Sequence, residues 1–267
     1  MDTLDVVILT VVGLAAGLLG GLAGVGGSMV MIPGLGLVMG YTEPDKPEQH
    51  LYAAAAMLVN VLVSAPAARA HQKAGAVRWD IFKVLAPAMA VAIIVGVLIS
   101  NEFRGVRLKQ GLAVFILAYC ALNIYRVYHR RKELARANER LGVVRLIIIA
   151  CTGGLVAGIL GLGGGVVIVP LLQIFCRVRL REAIATSLAT MTVTAILGAG
   201  MKIYTLTEHG LSIQTALLYA AALGPGAILG GALGAALNHR LPLSGVRIAI
   251  SVLLIIVAAK QLDLLPF

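Results

Sequence analysis

One glycine-rich apolar phrase occurs twice in this chain. Residues 21–33 read GLAGVGGSMVMIP, and residues 158–170 read GILGLGGGVVIVP. Looser matches follow each copy. Leu85–Pro87 resembles Leu223–Pro225, and Gly105–Arg107 is identical to Gly245–Arg247. The repetition predicts two homologous membrane repeats joined by a basic linker: residues 1–125, the linker 126–145, and residues 146–267.

Composition places the chain in a membrane. Hydrophobic residues make up 60% of its 267 residues and charged residues only 13%, which is too little polar surface to cover a soluble globule. The long apolar runs, such as residues 6–39 and 146–175, are continuous and do not alternate in polarity, which favours helices over barrel strands. We therefore predict an all-α polytopic membrane protein with about 8 to 10 membrane segments.

Each copy of the phrase is predicted to break a helix. The glycines lower helix propensity, and Pro33 and Pro170 remove a backbone donor and crowd the preceding turn. A broken backbone at membrane depth needs protein or water around it, so both breaks are expected at a central site. Paired broken segments in corresponding positions of two halves point to the binding site of a secondary transporter.

The distribution of basic residues predicts the topology. The linker carries the densest run of Arg and Lys, which favours a cytoplasmic position because cytoplasmic loops collect these residues. If each broken segment is a hairpin, the basic loops 69–78 and 177–181 lie on the cytoplasmic side with the linker, and the acidic loop 43–48 lies outside. Residues 104–109 disagree, since their three cations face outward. Each half then crosses an odd number of times, which makes the halves inverted repeats.

Three sequence motifs together resemble the TauE/SafE sulfite-exporter family. They are the doubled glycine phrase, the run Ala185-Thr186-Ser187-Leu188, and the segment His71…Gly75-x-Val77-x-Trp79. The resemblance spans both halves and implies transport of sulfite, thiosulfate, sulfonates or related small anions across a bacterial inner membrane. The first half departs from the family pattern, with Ala54–Met57 where a Gly-Thr-Ser phrase is common, so it offers fewer polar ligands.

The glycine breaks suit an anion site. An oxyanion must exchange its water for donors, and the N–H groups at a broken helix supply them with a favourable dipole. Glycine lets the anion approach that backbone closely. The predicted substrate-binding residues are Gly26, Gly27 and Ser28 in the first half, and Gly163, Gly164 and Gly165 in the second. The alternative is that these glycines only permit close packing of helices.

The resemblance adds two hydroxyl candidates. It implies a substrate-binding role for Thr186 and Ser187, whose alternative is a hydrogen bond to the preceding helical turn. Asn60, Thr190, Thr192 and Thr194 are weaker candidates on the same stretch or its counterpart; Thr190 and Thr194 are expected on the face of Thr186.

Two cationic side chains are candidates for a counter-ion or for proton coupling. Lys202 lies close to the end of its span, so its ammonium is expected to reach the membrane interface by snorkelling. His71 could carry a proton because the ordinary pKa of histidine is near neutrality. Neither assignment excludes an ordinary structural role for the residue.

Several other classes find little support in the sequence. The spans contain almost no Asp, Glu or His, which argues against a membrane enzyme, and no Gly-Lys-Ser/Thr follows Ser28. Cys120, Cys151 and Cys176 lack metal-type spacing and are expected to be buried packing residues. We predict no cofactor, no metal and no nucleic acid; the expected partners are a small anion, membrane lipid and a second copy in a homodimer. The net charge of +10 is explained by membrane orientation.

The predicted function is secondary transport of small sulfur-containing anions, with export by alternating access. One alternative is a transporter of another small organic anion. The other is a membrane assembly subunit that transports nothing and needs no central polar site.

Overall fold

The computed structural model describes residues 1–24, 26–128, 139–238 and 243–262. Every regular element within these ranges is a helix. The helices are α1 (Thr3–Ala23), α2 (Ser28–Val38), α3 (Glu48–Lys73), α4 (Trp79–Asn101), α5 (Gly105–Tyr128), α6 (Val143–Leu160), α7 (Gly165–Phe175), α8 (Leu180–Tyr204), α9 (Ile213–Asn238) and α10 (Leu243–Gln261), with a 3₁₀ helix at Thr205–His209.

Most of these helices can cross a membrane. Seven described helices, α1, α3, α4, α5, α6, α8 and α9, are long and apolar enough to span the hydrocarbon core. The helices α2 and α7 have 11 residues each, about 16 Å of rise, and are too short to span a core of about 30 Å. The prediction of an all-α polytopic membrane protein is confirmed.

The two helix breaks lie at the glycines. The helix α1 ends at Gly24 (φ 70°) and α6 ends at Gly161 (φ 73°), both in the left-handed region that favours glycine. The prolines do not contribute to the breaks as we expected, since Pro33 lies inside α2 and Pro170 inside α7. A proline is tolerated inside a membrane helix when neighbouring groups satisfy the carbonyl that it frees.

The bundle has two ends that can be defined by their polar contacts. We call one the Arg78 end, where Arg78 at the start of α4 forms an ion pair with Glu182 at the start of α8 (3.2 Å). We call the other the His50 end, where His50 near the start of α3 meets Lys202 near the end of α8 (2.9 Å between Nδ1 and Nζ). The helices α3 and α8 pack against each other. They run in opposite directions, because the start of α3 meets the end of α8 at His50 and Lys202, whereas Arg78, which follows α3, bonds to Thr186 near the start of α8.

Each short helix returns toward the end of the bundle from which the preceding helix entered: α2 returns toward the start of α1, and α7 toward the start of α6. The helix α1 packs along α9 in the same direction, because Gly13 faces Leu223 and Gly21 faces Gly231. In the same way α6 packs along α4, with Gly154 against Met89. Since α9 starts at the His50 end and α4 at the Arg78 end, the α1–α2 hairpin enters from the first end and the α6–α7 hairpin from the second. This geometry suits the predicted inverted repeat, while homology of the halves stays a prediction.

Close backbone contact holds the α1–α9 pair together. A Cβ added at Gly226 would lie 1.9 Å from the Thr10 carbonyl oxygen and 2.7 Å from the Leu14 nitrogen. The equivalent atom at Gly17 would lie 2.2 Å from the Ala227 oxygen. Small residues allow this approach in membranes, where helix association depends on van der Waals packing.

Replacing Gly226 by alanine is therefore expected to destabilise the fold. Overpacking a tight interface costs about 1–3 kcal/mol because the backbone must move. The matched control is Gly200→Ala, since nothing lies within 4 Å of a Cβ at exposed Gly200 in α8. Thermal unfolding in detergent should show a lower midpoint for Gly226→Ala and no loss for Gly200→Ala. Equal midpoints would contradict the tight α1–α9 contact.

The predicted linker is described only in part. Residues 129–138, with Arg130, Arg131, Lys132 and Arg136, lie outside the described residues, as do residues 239–242. Beyond that gap, Glu139 is 3.0 Å from Arg78 and the Arg140 N–H donates to the Cys176 carbonyl (3.0 Å). The described end of the linker therefore lies at the Arg78 end.

Candidate functional site

The two breaks meet around the side chains of Asn60 and Met191. A Cβ at Gly26 would lie 3.1 Å from both Asn60 Oδ1 and Met191 Sδ. A Cβ at Gly163 would lie 2.2 Å from Met191 Sδ and 3.1 Å from Asn60 Nδ2. Glycine at both positions therefore lets the two hairpins approach the same two side chains, which come from α3 and α8. These contacts place the two breaks against the same two side chains, while the binding of a substrate there stays a prediction.

A side chain of α3 supplies a hydrogen-bond partner to the backbone of the first break. The Gly27 N–H donates to Asn60 Oδ1 (3.1 Å), and Asn60 Nδ2 donates to the Ser28 hydroxyl. Asn60 and Ser28 are completely buried. Because α3 carries Asn60, one amide bridges α3 to the start of α2.

The second break differs in its backbone donors. Gly164 is the N-cap of α7 and has a left-handed backbone (φ 81°). Within the described ranges, no acceptor pairs with the N–H groups of Gly163, Gly164 or Gly165. Three successive N–H groups at a helix start form a concave donor group with the positive end of the helix dipole behind it. Such an arrangement favours a small anion.

The two hairpins also touch directly. Ser187 donates a hydrogen bond from its hydroxyl to the Gly24 carbonyl (3.3 Å) at the end of α1. A Cβ at Gly165 would lie 2.1 Å from the same Gly24 oxygen and 2.8 Å from Ser187 Oγ. Gly165 is thus the point where the second hairpin meets the first, and a side chain there has no room without a backbone shift.

Thr186 connects the site to the Arg78 end. Its hydroxyl accepts a hydrogen bond from the Arg78 N–H (3.0 Å), and the residue is fully buried. The Arg78 guanidinium also binds Asp80 (2.7 Å) and Glu139 (3.0 Å). The hydrogen bond to Asp80 is the main cause that raises the pKa of Arg78 above its ordinary value, so this group keeps its charge.

The weaker hydroxyl candidates behave as ordinary helical residues. Thr190 donates to the Thr186 carbonyl (2.9 Å) and Thr194 donates to the Thr190 carbonyl (3.1 Å). Thr192 likewise donates to the Leu188 carbonyl (2.9 Å). Bonds to the preceding turn are common for threonine in membrane helices. By contrast, the hydroxyls of Thr186 and Ser187 bond to other segments: Thr186 accepts from the Arg78 N–H, and Ser187 donates to the Gly24 carbonyl.

The structure places the two charged candidates, Lys202 and His71, at opposite ends of the bundle. Lys202 lies at the His50 end with 1% of its surface exposed, so the expectation that its ammonium snorkels to the interface is wrong. Its Nζ binds His50 and Ser100 (2.7 Å), which gives the ammonium buried acceptors. His71 is buried in the last turn of α3, toward the Arg78 end. Lys202 and His71 are therefore not brought together.

Sequence reasoning missed several residues that surround the breaks. Asn60 was only a weak candidate, although it aligns with Thr190 when the segments 53–64 and 183–194 are superposed. The thioether chains of Met191 and Met89 gave no signal; a Cβ at Gly164 would lie 1.9 Å from Met89 Cε. His50 and Arg78 were hidden in polar loops, where charge is common.

The cysteine prediction is partly confirmed. Cys120 and Cys176 are buried, whereas Cys151 is partly exposed. Burial raises the pKa of the Cys176 thiol, which keeps it protonated and unreactive. In the described part of the chain, no group of three His, Cys, Asp or Glu side chains could hold a metal ion.

Comparisons with known proteins agree with this architecture. Two relatives are named "Probable membrane transporter protein MamO", from Paramagnetospirillum magneticum and Magnetospirillum gryphiswaldense. They are 27% and 26% identical over 97% and 89% of this chain, which covers 44% and 42% of their lengths. The chain therefore spans less than half the length of these two relatives.

A third relative matches along nearly its whole length. "Probable membrane transporter protein YunE" from Bacillus subtilis is 24% identical over 95% of this chain and 96% of its own. No solved structure matched the chain. The family model "Sulfite exporter TauE/SafE" matches residues 9–261. This match covers both broken hairpins and the helices that enclose them, and the chain accordingly belongs to the TauE/SafE family of membrane transporters.

Proposed function

We propose that the chain is a secondary transporter that moves small sulfur-containing anions, namely sulfite, thiosulfate or organosulfonates. The observation that carries the proposal is the meeting of the two glycine breaks at Asn60 and Met191, with three backbone N–H groups of the second break facing no described acceptor. An oxyanion has several acceptor oxygens and a negative charge, which match successive N–H donors and the helix dipole.

The proposed binding site includes six residues of the breaks and two hydroxyl residues. They are Gly26, Gly27, Ser28, Gly163, Gly164, Gly165, Thr186 and Ser187. In the arrangement described above, Asn60 Oδ1 accepts the hydrogen bond of the Gly27 N–H in the first break. An entering anion would compete with Asn60 Oδ1 for the Gly27 N–H and would bind the N–H groups of Gly163 to Gly165. The site needs no catalytic step, so we assign the chain no enzymatic activity.

Alternating access would use the opposite entry of the two hairpins. Ser187 and Gly165 join the hairpins at the centre of the bundle. On either side lie polar clusters, one around Arg78 and the other around Lys202. We propose that opening one cluster at a time exposes the anion to one side of the membrane, as in other repeat-built transporters.

The orientation follows from the basic loops. The described end of the linker and the contact between Arg78 and Glu182 lie together at one end of the bundle. We assign that end to the cytoplasm of a bacterial inner membrane, because basic loops remain inside. The membrane potential would then assist outward movement of an anion by about 2.3 kcal/mol per charge per 100 mV, which favours export.

Flux in proteoliposomes tests the proposal. Purified protein would be reconstituted, and uptake and efflux of radiolabelled sulfite, thiosulfate and a short sulfonate measured with and without an imposed potential. Saturable, potential-sensitive flux of one of them is expected. Flux of only a different organic anion would move the assignment to that substrate. No flux of any anion from folded protein would favour the alternative of an assembly subunit.

Replacing Thr186 by valine is expected to weaken transport moderately. Valine keeps the shape but leaves the Arg78 N–H without its acceptor, a loss of about 1 kcal/mol. About a fivefold rise in the half-saturating anion concentration is expected from that energy. The matched control is Thr192→Val, since Thr192 only donates to the preceding turn of the same helix. Equal kinetics of the two variants would remove Thr186 from the site.

A further inference from the structure

Lys202 is a buried cation whose partners are neutral. It is 1% exposed, and its Nζ lies 2.9 Å from His50 Nδ1, 2.7 Å from Ser100 Oγ and 3.5 Å from Asn101 Oδ1. In the described ranges, no carboxylate lies within ion-pair distance of this ammonium. An ionisable group within a membrane segment that is held by neutral acceptors commonly marks an ion or proton pathway.

The hydrogen bonds fix the protonation state of His50. A lysine ammonium only donates, so His50 Nδ1 must accept the bond from Lys202. The other ring nitrogen, Nε2, lies 3.1 Å from the Phe103 carbonyl oxygen and must donate to it. With Lys202 as an ammonium, His50 is therefore neutral, with its single proton on Nε2. The pair of side chains carries one positive charge, and a second proton on His50 would have to displace Lys202.

A second histidine and a small cavity lie beside His50. His50 and His209 stack with ring centroids 4.0 Å apart, and both line a cavity of about 200 Å³ at the His50 end. Arg104 and Asp45 also line this cavity and form an ion pair of 3.5 Å. The titratable and charged groups on the elements around His50 are Glu48 on α3, Lys202 on α8, Glu208 and His209 on the 3₁₀ helix, Glu102 and Arg104 after α4, and Asp45 and Lys46 before α3.

The pair lies on the contact between α3 and α8 that also holds the candidate site. His50 precedes Asn60 by ten residues of α3, or about 15 Å of helix rise. Lys202 follows Met191 by a similar distance along α8. The ammonium links α8 to α3 through His50 and to α4 through Ser100. The bonds of Lys202 therefore close the bundle between the anion site and the His50 end.

We propose that His50 is the proton-binding residue of this transporter and that protonation of His50 opens the His50 end. The inference rests on the proposed transport function. A proton from water in the cavity forms an N–H bond at Nδ1, and the Lys202 hydrogen bond to that nitrogen breaks. Two cations then face each other at the former bonding distance, which separates α3 from α8. Loss of the proton restores the bond and closes the end again.

The coupling ion is thus a proton, carried by His50 and not by His71. Both residues are buried on α3, and His50 is bonded to Lys202 on another helix and lines a cavity. An anion entering or leaving through the His50 end would find two positive charges there only while the proton is bound. Anion movement and proton binding would therefore promote each other.

The test measures anion and proton movement together. Wild-type protein and the variants His50→Gln and His71→Gln would be reconstituted with a pH-sensitive dye inside the liposomes. Thiosulfate is the first choice of anion, because it stays a dianion across the pH range of the assay, so that any pH dependence belongs to the protein. We expect anion-driven proton movement in the wild type and in His71→Gln, and its loss in His50→Gln. We also expect flux in the wild type to be faster at acid than at neutral pH, and this ratio to fall to about one in His50→Gln.

A second measurement separates failure of this inference from failure of the proposed function. The thermal unfolding midpoint of the wild type should fall on acidification more than that of His50→Gln, whether or not an anion is transported. If no anion moves but this difference persists, the transport proposal fails and the proton site stands. Proton movement in His50→Gln equal to the wild type, or identical midpoints across pH, would overturn the assignment of His50.

A matched lysine variant tests the role of the buried ammonium. Lys202→Met should abolish the pH response, because protonated His50 then has no cation to repel. Lys109→Met is the control, since Lys109 is also buried but lies on α5, with its ammonium 5.2 Å from the Tyr41 ring centroid. A pH response in Lys202→Met that matches that of Lys109→Met would contradict the mechanism.

Discussion

Replacing Gly165 by alanine is expected to reduce anion flux by about tenfold or more, which corresponds to about 1.4 kcal/mol of lost binding. The added Cβ would lie 2.1 Å from the Gly24 carbonyl oxygen, a backbone atom that cannot move away as a flexible side chain can. The start of α7 must therefore shift, and its N–H donors shift with it. Because the same contact joins the two hairpins, both halves of the proposed site are affected.

The measurement is saturable flux in proteoliposomes, together with thermal unfolding in detergent. Gly200→Ala is the matched control, because it adds the same methyl group to the same bundle where nothing lies within 4 Å. We expect wild-type flux from this control and a cooperative unfolding transition from both proteins. If Gly165→Ala transports as fast as Gly200→Ala, the N–H groups of α7 do not bind the anion.

Replacing Asn60 by leucine is the second change with a large expected effect. Leucine has a similar size but leaves the buried Gly27 N–H without its acceptor and the Ser28 hydroxyl without its donor. A buried group that loses its partner costs about 1–3 kcal/mol. We expect flux to fall by about tenfold, since the geometry of the first break depends on this one amide.

The control for Asn60 is another buried asparagine. Asn238 in α9 is also fully buried, and its Nδ2 donates to the Leu22 carbonyl in the last turn of α1. Asn238→Leu removes a cross-helix hydrogen bond of the first hairpin without touching the N–H groups of the break. Thermal unfolding should report similar losses for the two variants, whereas flux should fall much further in Asn60→Leu. Parallel losses of flux and stability in both variants would mean that Asn60 is only structural.

The two halves of the site use different chemistry. In the second hairpin the break carries Gly165, and Ser187 from α8 bonds across to the first hairpin. In the first hairpin the equivalent position is Ser28, and Asn60 from α3 supplies the partner. The departure from the family pattern at Ala54–Met57 therefore does not leave the first half without a polar group. Asn60 lies one helical turn further along α3 and supplies it.

Much of the fold was predictable from the sequence. The doubled phrase predicted two breaks, and the glycines at 24 and 161 adopt the left-handed backbone that only glycine adopts readily. The hairpin topology was predictable because charge is expensive inside a membrane and collects on one side. Pro33 and Pro170 were misjudged, since a helix in a membrane bundle can continue through a proline.

The candidate site was predictable only at its backbone. Gly26 and Gly163 were identifiable because a broken backbone in lipid needs a special environment. Asn60, Met191 and His50 were not, because their importance depends on which helices face each other. A buried asparagine, methionine or histidine in one sequence carries no sign of its partner. Lys202 was misjudged for the same reason, since its position near the end of a helix concealed a partner 152 residues away.

The sequence by itself determined that this chain is a helical membrane protein with two glycine-broken segments, because composition and local backbone preference act within a few residues. Only the tertiary structure decided that both breaks meet at Asn60 and that Lys202 is bonded to His50. Those outcomes depend on the antiparallel packing of α3 against α8 and on the parallel packing of α1 on α9 and α6 on α4. The physical reason is that a buried donor or charge must find its partner in three dimensions, wherever that partner lies along the chain.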